Sequence, residues 1–274
     1  MCKFFSGVSD GKGRLMYFDS KLRKKCISGE LDYKPDSHTS IADYFGYKGK
    51  REDKLNKYEF NPLTKEFTVD QLNSLDDSEE IKEKCLKLDF KKIVPELIIK
   101  PIIHPFKLNT TKVCKKDIEL LKKWASVWDS VRDSVWASVR DSVGDSVVDS
   151  VGDSVGDSVM ASVRDSVWDS VGDSVRDSVG DSVGDSVGDS VRAYISSFFN
   201  LEKWKYIEHK KGVNPFQSAI DLWEGGLVPS FDGKLWRLHG KGGKVLWKGE
   251  FKELELHEVI AKAIEKGKVL RVKK

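Results

Sequence analysis

Residues 125–192 read ASVWDSVRDSVWASVRDSVGDSVVDSVGDSVGDSVMASVRDSVWDSVGDSVRDSVGDSVGDSVGDSVR, which is seventeen consecutive copies of a four-residue unit. The unit begins with Asp in fourteen copies and with Ala in three, and its second and third residues are Ser and Val in every copy. Its fourth position holds Gly in seven copies, Arg in five, Trp in three, and Val and Met in one each. A fixed period without insertions indicates that each unit occupies the same repeated environment.

Three conformations compete for this tract. An α-helix turns about 100° per residue, so each valine lies about 40° further round the helix than the valine of the preceding unit, and the row of valines drifts around the helix. Val, Ser, Asp and Gly are also weak helix formers. Asp, Ser and Gly also favour disorder, although Val in every unit carries more apolar surface than a solvated linker needs. A β-solenoid places Val on short half-buried strands and Asp, Ser and Gly at the corners. The pattern favours the solenoid, with its valines stacked inside and its fourth position facing solvent, and leaves a helix or a disordered linker as the alternatives.

The tract divides the chain into three predicted domains. A small α+β domain is expected at residues 1–115, a β-solenoid with end caps at 116–197, and a second small α+β domain at 198–274. Bulky aromatic residues at both ends of the tract, Trp124 on one side and Phe198 and Phe199 on the other, suit caps that cover the open ends of a solenoid.

Turn residues and apolar runs predict the elements of the two flanks. The N-terminal elements are a hairpin at residues 3–8 and 14–18, a capped helix at about 39–45, a hairpin at 58–60 and 65–69, a helix from 78 to about 88, and an extended segment at 93–103. The C-terminal elements are a helix that begins at 214–215, strands at 228–231, 235–238 and 245–247, and a last helix at about 256–264.

Charge is unevenly distributed along the chain. The formal net charge is +3, but the repeats hold fourteen Asp against five Arg, which is −9 and leaves +12 for the remainder. The four cysteines have no metal-ligand spacing with the five histidines, so reduced thiols are expected, without a metal or other cofactor. The chain opens without the apolar core of a secretory signal and has no apolar run of about 20 residues, which predicts a soluble cytoplasmic protein.

Two resemblances follow from these segments. The repeat is similar in principle to pentapeptide-repeat proteins, which form square right-handed β-helices, but it has one residue fewer on each side. The whole chain resembles uncharacterised tandem-tetrapeptide proteins of bacteriophages and prophage-like elements, through the DSVx run, YKPDSHTSIADYF at Tyr33–Phe45, and NPFQSAIDLWEGGLVPSFDGKLWRLH at Asn214–His239. The second resemblance implies no particular chemistry.

The favoured function is that of a non-enzymatic binding or scaffold protein. A solenoid of about four coils would be a rod of roughly 20 Å at ~4.8 Å per coil. Its net charge of −9 is close to that of the roughly twelve phosphates on the same length of duplex DNA. Such a rod could occupy the DNA groove of a basic nucleic-acid-binding protein, or serve only as a spacer between the flanks. No direct contact of the repeats with nucleic acid or membrane is expected. The candidate interaction surface comprises Asp129, Asp133, Asp141, Asp145, Asp149, Asp153, Asp157, Asp165, Asp169, Trp128, Trp136, Trp168, Arg132 and Arg164.

An enzymatic alternative depends on Cys2. If Met1 were removed, Cys2 would begin the chain, as in the N-terminal-nucleophile amidohydrolases, whose free amine serves as the base. The adjacent Ser37 and His38 are not evidence of catalysis, because catalytic triads are assembled in space and not in sequence. Ser37 is expected to cap a helix instead.

Overall fold

The N-terminal flank is a three-stranded antiparallel sheet with short helices packed on it, in a computed structural model that describes residues 5–131, 135–151, 159, 161, 163–179 and 184–250. The strands, in sheet order, are β1 (Phe5–Ser9), β2 (Asn56–Asn61) and β3 (Glu66–Gln71). The helices are α1 (Ser20–Ile27), α2 (His38–Tyr44), α3 (Ser78–Leu86) and α4 (Phe90–Ile93). Two 3₁₀ turns occupy Gly49–Lys54 and Pro105–Lys107.

Most of the predicted elements of this flank are confirmed. β2 and β3 form the second predicted hairpin, and α3 is the helix that was predicted to begin at residue 78. Ser37 caps α2 because its hydroxyl accepts a hydrogen bond from the Ser40 amide at 3.3 Å. The first predicted hairpin is reduced to a single antiparallel bridge between Val8 and Met16, and the full pairing of β1 is with β2 on its other edge.

The residues of the repeat tract that the structure describes are helical. Helix α5 (Lys115–Val131) enters it, and α6 (Val135–Val151) follows. Residues 163–167 form α7, which continues through a π-helical turn at Trp168–Gly172 into α8 (Asp173–Val179). Helix α9 (Gly184–Ser196) leaves the tract. The predicted β-solenoid is therefore wrong, and the rod length and charge spacing that were derived from it are withdrawn with it.

Burial of the valines accounts for the helices despite the weak helix propensities. Of the tract valines whose burial the structure describes, ten are at most 2% exposed, namely Val135, Val139, Val143, Val159, Val163, Val167, Val171, Val175, Val187 and Val191. Tertiary packing of an apolar face supplies most helix stability in proteins and can override propensity. The serine hydroxyls also find partners inside the helices, since Ser178 donates to the Ser174 carbonyl at 2.6 Å and Ser190 to the Ser186 carbonyl at 3.2 Å.

The drift of the valine row, which argued against a helix, is limited in two ways. The described helices are short, at most 17 residues, so the row winds only part of the way round each one. The π-turn holds more residues per turn than an α-helix, so it rotates the row back and keeps Val167, Val171 and Val175 buried together.

The fourth position of the unit does not face solvent throughout, as had been predicted. Arg164 and Arg176 are exposed, but Gly172 and Gly188 are buried. At Gly172 the missing side chain leaves room for the Trp168 indole, whereas at Gly188 no atom lies close to the position of a Cβ. The exposure of the fourth residue therefore differs from one unit to the next.

The C-terminal flank repeats the plan of the first, with α10 (Gln217–Glu224) and a sheet of β4 (Val228–Phe231), β5 (Leu235–His239) and β6 (Val245–Glu250) in that order. These elements confirm the predicted helix and strands. Helix α9 packs on β4, where the Ser190 hydroxyl donates to the Pro229 carbonyl at 3.0 Å and the Ser186 hydroxyl accepts the Phe231 amide at 2.8 Å. The helix predicted at about 256–264 lies outside the described residues.

One buried cluster joins both flanks to the repeats. Leu97 and Phe199 form a β-bridge between the flanks, and Asn61 Nδ2 of β2 donates to Ser166 Oγ of α7 at 2.7 Å. The aromatic residues predicted to cap a solenoid, Trp124, Phe198 and Phe199, belong to this cluster and are at most 3% exposed. Within the described part of the chain, no helix is both long and apolar enough to cross a membrane.

Candidate ligand pocket in the repeat helices

An open cavity of about 320 Å³ lies where α6, the π-turn and α9 meet. Its walls are formed by Trp136, Arg164, Asp165, Trp168, Asp169, Arg192 and Ile195. Five of these seven residues belong to the interaction surface predicted from the sequence. We call this cavity the tryptophan pocket.

The π-turn fixes the position of Trp168 in the pocket. The indole lies against Gly172, where an added Cβ would be 2.9 Å from Trp168 Cδ2. Its Nε1 donates to Asp173 Oδ1 at 2.7 Å, and the Arg176 guanidinium lies 6.0 Å from the ring centroid. π-Turns are rare and are frequently found at functional sites. Three neighbours on the same helix therefore hold this indole at the pocket wall.

Both arginines of the pocket are already paired. Arg164 Nη2 lies 2.8 Å from Asp165 Oδ1, and Arg192 Nη1 lies 2.9 Å from Asp189 Oδ1. Among the described residues, none forms a hydrogen bond or an ion pair with the exposed carboxylate of Asp169. Within the described part of the chain, the pocket therefore combines two half-buried indoles with a carboxylate that has no partner.

Asp189 does not line the pocket, but it pairs with Arg192, which does. It is 8% exposed, and its burial raises its pKa, an effect that the hydrogen bonds from Trp128 and Arg192 partly offset. Trp128 Nε1 donates to Asp189 Oδ2 at 2.8 Å, and the Trp128 ring packs edge-on against Phe231 and Trp236, each at 5.5 Å between centroids. Trp128 thus lies outside the pocket and connects it to the C-terminal sheet.

The remaining predicted surface residues that the structure describes differ in their surroundings. Asp129 is exposed on α5, whereas Asp141 is half-buried on α6 and accepts hydrogen bonds from Arg140 and Tyr206. Asp145 and Asp149 lie in α6. Four others lie outside the described residues, namely Asp133, Asp153, Asp157 and Arg132.

Three residues of the pocket region were missed by the sequence analysis. Arg192 and Ile195 line the cavity, and Asp189 holds Arg192 in place. Residues three apart share a face of a helix, so the pair 192 and 195 could have been found had the end of the tract been assigned to a helix.

A buried serine–histidine pair occurs in the C-terminal sheet. Ser230 Oγ and His239 Nε2 are 2.7 Å apart, and His239 Nδ1 donates to the Gly243 carbonyl at 3.0 Å. Burial lowers the pKa of His239. Because Ser230 is 0% and His239 3% exposed, the pair links β4 to β5 and offers no hydroxyl to a substrate in solution.

A second polar cluster surrounds Asp77, the residue before α3. Its carboxylate accepts hydrogen bonds from Ser9, from Tyr58 Oη at 2.6 Å, from Asn56 Nδ2 at 3.0 Å and from the Gly13 amide at 2.8 Å. Burial by itself would raise the pKa of Asp77, but these donors outweigh it and lower the pKa below its usual value. The cluster ties the loop after β1 to the start of α3 and is structural.

Among the described residues, the cysteines and possible metal ligands form no second site. In the part of the chain that the structure describes, no group of three or more His, Cys, Asp and Glu side chains is placed to hold a metal ion. Cys26, Cys85 and Cys114 are free thiols, and burial raises the pKa of Cys85 to about 12. Cys2, on which the enzymatic alternative depends, lies outside the described residues.

The fold and the pocket define a mixed α and β protein in which repeat helices lie between two small antiparallel sheets. No family model, no curated protein and no solved structure matches this chain. The resemblance to tandem-tetrapeptide proteins of bacteriophages therefore stays a prediction.

Proposed function

We propose that this chain is a non-enzymatic binding protein whose repeat helices present the tryptophan pocket to a protein partner. The observation that supports this role is the convergence of Trp136 and Trp168, from distant repeat units, on one cavity. Tryptophan and arginine are the residues that most often anchor protein interfaces, and such anchors work best in preformed pockets. The expected cytoplasmic location stays a prediction.

The two other roles considered for the repeats have less support. A spacer would hold the flanks apart, but Leu97 and Phe199 of the two flanks are bridged and Trp223 Nε1 donates to the Ile103 carbonyl at 2.9 Å. Mimicry of DNA depended on a solenoid rod with regularly spaced Asp, and the tract is a set of short helices instead.

The test is capture of a partner from extracts of the source cells on immobilised full-length protein. Wild-type protein should retain one partner in stoichiometric amount, and the W136A/W168A double variant should lose it. Tyr206→Ala is the control, because Tyr206 is an aromatic residue that is 61% exposed and does not line the pocket. Circular dichroism verifies that all variants keep their helices.

The retained protein is then identified, purified and titrated calorimetrically. The proposal expects one-to-one binding that is weakened at least tenfold by W136A/W168A and unchanged by Tyr206→Ala. Equal retention by wild type and the double variant, or retention of no defined protein, contradicts it.

A further inference from the structure

We propose that the tryptophan pocket receives an arginine side chain of the partner. This inference rests on the proposed function and specifies its chemistry. A guanidinium group stacks on tryptophan faces and is attracted by their π electrons more strongly when it is partly desolvated. A cavity of about 320 Å³ has room for the guanidinium and part of its aliphatic stem.

The charges around the pocket favour a cation. Among the described residues, three arginines and four aspartates line the pocket or contact its walls, namely Arg164, Arg176, Arg192, Asp165, Asp169, Asp173 and Asp189. Their formal sum is −1, and Asp169 is the carboxylate for which the described residues provide no partner. A bound guanidinium can contact the indole and form an ion pair with Asp169 together.

An anionic ligand is disfavoured by the same contacts. Arg192 is already paired through Nη1 with Asp189, which is 8% exposed, so part of the positive charge that an anion would need is neutralised within the protein. Arg164 is likewise held by the adjacent Asp165.

The contact between Arg176 and Trp168 supports the choice of guanidinium. The Arg176 Cζ lies 6.0 Å from the centroid of the Trp168 ring, within the range of a cation–π interaction. The indole thus already attracts a guanidinium of its own chain. At longer range, the net charge of −9 on the repeats draws a basic partner towards the pocket.

The experiment is a ¹⁹F NMR titration of the full chain labelled with 5-fluorotryptophan. The eight tryptophans give separate signals, and W136F and W168F assign the two that matter. The probes are N-acetyl-arginine amide, the isosteric but neutral N-acetyl-citrulline amide, and sodium phosphate. We expect saturable shifts of the Trp136 and Trp168 signals with the arginine probe, and none with citrulline or phosphate.

Two matched variants test the role of the carboxylate. Asp169→Asn should weaken binding of the arginine probe about two- to fivefold, the range of an exposed ion pair. Asp177→Asn, at the same position two units further on and also exposed, should leave binding unchanged because it does not line the pocket.

The inference is overturned if citrulline shifts the two signals as strongly as arginine, if phosphate alone shifts them, or if arginine leaves them unmoved up to its solubility limit. Its failure differs from failure of the proposed function. A partner that needs Trp136 and Trp168 but binds without an arginine anchor refutes only the inference, whereas arginine binding without any captured protein refutes only the proposed function.

Discussion

At the scale of single residues, Gly172 determines where the Trp168 indole lies. A methyl group at this position would be 2.9 and 3.0 Å from two indole carbons, closer than real side chains approach. We expect Gly172→Ala to displace the indole and to lower the free energy of unfolding by about 1–3 kcal/mol, the usual cost of overpacking. Urea unfolding gives the free energy, and the ¹⁹F signal of Trp168 reports the displacement.

Gly188 provides the matched control because it occupies the same position of its unit and is also buried. An added Cβ there meets nothing within 4 Å. Gly188→Ala should therefore stabilise α9 by up to about 1 kcal/mol, the difference in helix propensity between the two residues. Equal effects of the two substitutions would contradict the assigned contact between Gly172 and Trp168.

Asp77 is a second residue with a defined energetic role. Asp77→Asn replaces an acceptor of several hydrogen bonds with a group that is partly a donor, so it should cost about 1–3 kcal/mol at neutral pH. Because the folded-state pKa of Asp77 is lowered, its contribution is complete above the unfolded pKa of about 4 and is lost as the pH falls through the folded value.

The advantage of the wild type over Asp77→Asn should accordingly be constant from pH 7 to about pH 5 and shrink below about pH 4. Urea unfolding at a series of pH values measures it. Asp53→Asn, at an exposed position, serves as the control and should show no such dependence. A difference that persists undiminished in acid would disprove the role of the carboxylate.

At the scale of elements, the repeat helices depend on buried valines more than on propensity. Val187 is fully buried on α9, whereas Val179 is half-buried at the end of α8. Both occupy the third position of their units. Val187→Ala should lower the free energy of unfolding by about 1–3 kcal/mol, and Val179→Ala by distinctly less. Chemical denaturation of the two variants checks this, and equal losses would mean that the tract is not organised by its valine row.

The short elements of the flanks could be predicted because their signals are local. Asn61 and Pro62 begin the turn between β2 and β3, Asp232 and Gly233 make the turn between β4 and β5, and the Ser37 side chain caps α2. Turn and cap residues act on the backbone next to them, so the elements that they bound can be recognised from the sequence alone.

The helices of the tract could not be predicted in this way. A four-residue period matches neither the α-helix nor a strand, and the deciding facts lie elsewhere in space: the burial of Val171 against other helices and the π-turn that keeps it inward. The candidate residues Trp136, Arg164 and Trp168 were identified from composition, but their meeting in one pocket depends on the helical packing.

At the scale of the whole molecule, the shared core predicts cooperative unfolding. Asn61 of the first flank contacts Ser166 of the repeats, and Ser190 of the repeats contacts Pro229 of the second flank. We expect one urea transition, coincident by far-ultraviolet circular dichroism, which should show the double minimum of helices, and by tryptophan fluorescence. Separate transitions would indicate that the flanks and the repeats are independent domains, as the domain boundaries suggested from the sequence imply.

The enclosure of α9 between α10 and β4 bears on how this sequence can change over time. A tract of near-identical units can gain or lose whole units, and a free linker would tolerate each such event. In α9, one extra unit would carry Tyr194 onward by about 6 Å and 40°, away from the Trp223 ring on which it stacks at 5.0 Å. We therefore expect the number of units at the end of the tract to vary less than a repetitive sequence alone would allow.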